Sequence, residues 1–111
     1  MKTEQHNEGP VTVITIGGPL VEEEVASLNS LVRGLLQQGR RWILLDLSSV
    51  PFVGSAAMEM LLELTAESAR RGGSLKVGGV SEIVRDAFIA TRLTRSLELY
   101  SERAAARRAF H

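Results

Sequence analysis

Hydrophobic and polar positions change their period several times along the chain, and each change marks an element. Val11 to Ile16 (VTVITI) sets β-branched residues beside Thr12 and Thr15 and reads as a strand. It holds no lysine or proline to blunt an edge, so it is expected inside a sheet. The polar stretch Lys2 to His6 has room for an edge strand, with Glu8-Gly9-Pro10 as the turn between the two. Val21, Val25, Leu28, Val32 and Leu35 recur at spacings of three and four, the stripe of an amphipathic helix. Glu22, Glu23 and Glu24 fall in its first turn, where negative charge suits the helix dipole, and Gly39 closes it.

Trp42 to Leu47 (WILLDL) is almost wholly apolar, as a strand covered on both faces would be. A loop of turn residues follows, and the next helix is expected from about Ser55 to Arg71, with Leu61, Leu62, Thr65 and Ala69 as its buried stripe and Met58 towards the exposed end. Gly72-Gly73 stops it. Ser74 to Val77 is a short strand. Ser81 caps a further helix whose Ile83, Val84, Ala87 and Phe88 are expected to face inward. Arg95 to Tyr100 alternates like a last strand, and Ser101 to Phe110 forms a closing helix. Strands alternating with helices predict right-handed crossovers and an α/β fold. Residues 1–111 are read as a single small domain, a mainly parallel mixed sheet of four to five strands with about four helices.

Composition narrows what such a domain can do. Thirteen Lys and Arg balance thirteen Asp and Glu. Without an excess of positive charge, nucleic-acid binding driven by counterion release is not expected. There is no cysteine, and the two histidines, His6 and His111, lie at or near the ends. Thiolate metal sites and cysteine nucleophiles are excluded, and a Ser-His-Asp triad would have to recruit a terminal histidine. Neither Gly72-Gly73 nor Gly78-Gly79 belongs to a dinucleotide or P-loop pattern. The residues call for no metal and no cofactor. No apolar run approaches the roughly 18–20 residues of a membrane span, and the polar start carries no signal-peptide core. A cytoplasmic, non-enzymatic domain is the expectation. A small ligand-binding domain or enzyme, with a site at the carboxyl ends of the strands, is the alternative from another class.

The most specific stretch is Leu45-Asp46-Leu47-Ser48-Ser49-Val50-Pro51-Phe52-Val53-Gly54-Ser55-Ala56-Ala57-Met58. Read from the residues, Asp46 is a turn-forming acid bonding to backbone N–H groups near Ser48 or Ser49. Phe52 is expected to be buried as a loop anchor. The Ser55 hydroxyl is placed to accept a bond from an N–H two or three residues on.

With the element order, this stretch resembles the STAS domains of bacterial anti-sigma factor antagonists. In that family a segment of the type Asp-Ser-Ser-Gly-Leu opens the helix, and its first Ser, matched here by Ser55, is phosphorylated by the cognate anti-sigma kinase. Gly54 stands where the family usually has Asp, and Ala56 and Ala57 where it has Ser and Gly. Val21 stands where the family often has a second Asp. A partner-binding surface is expected at Gly54, Ser55 and Ala56, with Glu22 contacting the partner in place of the missing acid at Val21, and with Met58 as a hot spot where it is partly exposed. The implied partner is an anti-sigma factor with serine kinase activity, and binding would release a sigma factor. An adaptor role without the switch, in a stress-signalling assembly or a lipid-transport ATPase complex, is the alternative within the family. The oligomeric state stays open, a homodimer included.

Overall fold

The computed structural model describes residues 2–91 and 97–110. Five strands form one sheet in the order of the chain. They are β1 (Lys2–Glu8), β2 (Val11–Gly17), β3 (Trp42–Ser49), β4 (Ser74–Gly78) and β5 (Glu98–Leu99). The hairpin β1–β2 is antiparallel, and every later pair is parallel. The helices are α1 (Glu23–Gln37), α2 (Ser55–Arg70), α3 (Glu82–Ala90) and α4 (Arg103–Arg108). The element order and the mixed sheet agree with the sequence reading. The polar start is a full edge strand, and β2 lies inside the sheet. Of the expected last strand, Arg95 and Ser96 lie outside the described residues, and β5 takes in only Glu98 and Leu99 of the rest.

Parallel neighbours joined by crossovers of one hand carry their helices to one face of the sheet. That face is the main core. Ile14, Ile16, Ile43, Leu45, Leu47, Leu75 and Val77 meet Leu28 and Val32 of α1, Leu61 and Leu64 of α2, and Val84 and Phe88 of α3. Each fully buried Leu or Ile contributes roughly 1.5–3 kcal/mol. The alternate residues Val11, Val13 and Leu44 point to the opposite face, where Ala106 and Phe110 from the α4 end of the chain cover them. Lys76, buried on this side, pairs with Glu98 at 2.8 Å and lies 5.2 Å from the Phe110 ring centroid.

Two expected stripes are corrected. On α2 the buried residues are Ala57, Met58, Met60, Leu61, Leu64 and Ser68, while Leu62 and Thr65 are half-buried and Ala69 is exposed. The seam runs 57, 61, 64, 68, and two of its members are small residues with little hydrophobic signal. On α3 the Ser81 side chain accepts the Val84 N–H at 3.2 Å, as expected of a cap. This fixes the phase that buries Val84 and Phe88 and turns Ile83 outward, 72% exposed.

Helix α4 is tied to the first hairpin through Glu8. Its carboxylate lies 2.7 Å from His6 Nε2 and accepts from Arg103 at 2.6 Å and from Arg107 at 3.2 Å. The His6 hydrogen bond, helped by Arg103 and Arg107 against partial burial, holds this carboxyl below its ordinary value. A depressed carboxyl adds stability above the unfolded value, about pH 4.3, and loses it as pH falls through the folded value. Glu8→Gln is therefore expected to be less stable than wild type at neutral pH. Urea titrations at falling pH should bring the two curves together.

Candidate functional site

The candidate site lies at the carboxyl ends of β2 and β3, where two loops run side by side. Asp46 lies in the buried part of β3, one residue before Leu47 ends it, and is 5% exposed. Its Oδ1 accepts the Ser48 N–H at 3.0 Å and the Ser48 hydroxyl at 2.5 Å, the turn expected of it. Arg103 Nε stands 3.8 Å from its other oxygen.

The loop between β2 and α1 is hydrogen-bonded to the loop between β3 and α2. Gly18 donates to Ser49 O at 3.0 Å, Leu20 to Phe52 O at 3.1 Å, and Gly54 to Leu20 O at 3.0 Å. Leu20 and Val53 form an isolated parallel bridge with both side chains buried. This arrangement puts Val21 against Gly54. A Cβ built on Gly54 would stand 3.3 Å from Val21 Cγ1. The two positions at which the resemblance led one to expect acids are thus neighbours in space, and both are uncharged here. Gly54 has φ −77° and ψ 167°, extended backbone open to any residue. A side chain here would need Val21 to give by only a few tenths of an ångström, and the backbone does not call for glycine's conformational freedom.

Three expectations about this segment are corrected. The N-cap of α2 is Gly54, whose carbonyl accepts the Met58 N–H at 3.1 Å, and no side chain caps the helix. Ser55 is the first helical residue, one position past the cap, so its hydroxyl does not cap the helix. It is exposed and has no partner among the described residues. Phe52 is 49% exposed, because Val50 and Val53 anchor the loop and leave the side chain between them to solvent. Met58 is buried rather than surface-facing, and its sulfur accepts the Thr91 hydroxyl at the end of α3 at 3.7 Å. It belongs to the packing of α2 against α3.

Of the residues expected to meet a partner, Gly54, Ser55 and Ala56 lie together at the start of α2. Glu22 lies across the loop pair. It is the N-cap of α1, with φ 43° and ψ −110°, the one non-glycine residue at positive φ among the described residues. Glu22 and Ala56 line one shallow groove between α1 and α2, together with Glu59. The sequence reading did not single out Glu59. Its spacing of three from Ala56 on a helix was the available signal.

Chemically, the start of α2 suits a negative charge. The first N–H groups of a helix have no intrahelical acceptor, and the dipole is positive there. No acidic side chain occupies the first turn of α2. Among the described residues no cluster of His, Asp or Glu could hold a metal, and no helix is long and apolar enough to cross a membrane.

The model of the STAS domain family matches residues 2–106. Solved structures share the fold. A candidate anti-sigma factor antagonist from Thermotoga maritima is 20% identical with a TM-score of 0.88, covering 96% of this chain and 92% of its own. An anti-sigma factor antagonist from Mycobacterium paratuberculosis is 21% identical with a TM-score of 0.84, covering 97% and 92%. The Bacillus cell fate determinant SpoIIAA, in its phosphorylated form, is 18% identical with a TM-score of 0.73, covering 96% and 98%. No curated protein is matched by the sequence.

Proposed function

The chain belongs to the STAS domain family, and from that premise we propose that it is an anti-sigma factor antagonist. In this reading it binds an anti-sigma factor with ATPase and serine kinase activity and so frees a sigma factor. The partner transfers the γ-phosphoryl of ATP to the Ser55 hydroxyl, ADP leaves, and the complex separates. The domain performs no chemistry of its own and works in the cytoplasm.

The observation that carries this reading is the state of Ser55. The hydroxyl is exposed, free of a capping bond, and set on the first turn of α2. A phosphate there would add roughly −1.5 to −2 charges at a helix N-terminus able to accept it. The docking surface would comprise Gly54, Ser55 and Ala56, with Glu22 across the loops and exposed Phe52 beside them. The same charge that the helix tolerates would oppose docking, through repulsion and the cost of desolvation. The fold need not change.

Phosphotransfer from the cognate kinase, read by mass spectrometry, tests this. One phosphate is expected on Ser55 and none on Ser55→Ala. Phosphate that never appears on Ser55 sinks the switch.

One observation favours a second reading. The uncharged contact of Val21 with Gly54 suits a domain that binds constitutively, as an adaptor in a stress-signalling assembly or a lipid-transport ATPase complex. A pull-down separates the two: an anti-sigma kinase supports the first, and a transporter subunit or signalling scaffold the second.

A further inference from the structure

The formal charge of the chain is zero, yet the charges on the helical layer are sorted by position. Near the N-terminal halves of α1 and α2 lies the groove of about 350 Å³ noted above. Glu22, Glu59 and Glu63 line it over a floor of Val25, Ala26 and Met60. Glu63 meets Arg33 at 3.9 Å across exposed surface. Glu22 and Glu59 have no partner among the described residues.

At the C-terminal ends of the same two helices lies a second concavity of about 330 Å³, lined by Arg40, Arg41 and Arg71. Arg71 is partly committed, to Glu67 at 2.8 Å and to Leu36 O at 3.3 Å. Arg40 donates to Thr12 and Asn7. The Arg41 guanidinium is exposed and has no acid partner among the described residues. At about 1.5 Å per residue, a helix of this length separates the two concavities by roughly 20 Å.

We propose that the arginine cleft of one copy seats on the glutamate groove of a second copy, giving head-to-tail self-association. The argument is charge complementarity between the glutamate-lined and the arginine-lined surfaces at opposite ends of one layer. The contact is heterologous: each copy offers one groove and one cleft, so association continues end to end unless geometry closes a ring. It is also weak and sensitive to salt, because exposed pairs gain little and are screened within about 10 Å at 0.1 M.

Sedimentation equilibrium at high protein concentration tests this. At about 0.02 M salt, where the screening length is long, the average mass of wild type should rise with concentration. At about 0.3 M, where it is short, the mass should return to 12.1 kDa. Glu59→Arg and Arg41→Glu change exposed side chains, and circular dichroism confirms that each variant folds. Each alone should weaken association at least tenfold. An equimolar mixture should associate again, because the intact cleft of one variant meets the intact groove of the other. Three outcomes overturn the proposal: a wild type monomeric at low salt, association that survives either single reversal, or a mixture that stays monomeric. Survival of a single reversal would point to a symmetric dimer through another face.

Discussion

Gly79→Ala should destabilise the domain by about 3 kcal/mol, the largest loss expected from any single methyl group added near the site. Two effects combine. Gly79 has φ +71°, where an L side chain is strained. A Cβ there would also collide with the Ser48 hydroxyl and stand 2.9 Å from both Asp46 Oδ1 and the Ser48 nitrogen. Relief requires Ser48 to move, and Ser48 supplies both hydrogen bonds to Oδ1 of the buried Asp46 carboxylate. A carboxylate 5% exposed would then keep only the longer Arg103 contact. Leaving such a group unsatisfied costs about 1–3 kcal/mol. Against a typical total of roughly 5–15 kcal/mol, the loss should lower the melting temperature by roughly 10–20 °C. Urea denaturation gives the free energy directly. Adding Ser48→Gly should recover only a small part of the loss, since it removes the worst contact but also the hydroxyl bond to Asp46 Oδ1, and leaves the strained backbone. A change below about 1 kcal/mol would mean that the turn shifts without cost.

The turn itself was legible in the sequence: an acid at the end of an apolar strand, with serines two and three residues on. So were the strands, whose β-branched residues declare their period, and the Ser81 cap, which precedes a clear apolar spacing. What was not legible depends on contacts between distant segments. Ser55 and Gly54 compete for the cap, and the backbone bond from Gly54 to Leu20 decides in favour of the glycine. Nothing local to residues 50–58 announces that bond. Phe52 lies in a loop with no period to assign a face, so its size suggested burial that Val50 and Val53 in fact supply. Met58 is covered because α3 returns over the start of α2 and sets Thr91 against its sulfur. The zero net charge concealed its own division, since Glu59 and Arg41 are unremarkable until α1 and α2 lie side by side.

The position of Ser55 leads to a prediction in which stability and binding move apart. Ser55→Ala should leave the unfolding free energy within about 0.5 kcal/mol of wild type, because the hydroxyl makes no capping bond. A serine that did cap would cost about 1 kcal/mol when replaced by alanine. Ser55→Glu places one negative charge in a first turn that has no acid, and should stabilise the fold by about 0.3–1 kcal/mol through the helix dipole. The same substitution should weaken binding of the proposed anti-sigma partner at least a hundredfold, since a buried unpaired carboxylate in an interface costs several kcal/mol. Isothermal titration of the three proteins against the kinase, beside their urea curves, reads both quantities. A damaged fold would lower both together, whereas a switch lowers only binding. If Ser55→Glu binds as tightly as wild type, Ser55 is not the switch, and the uncharged pair Val21 and Gly54 then marks a surface that binds without regulation at this residue.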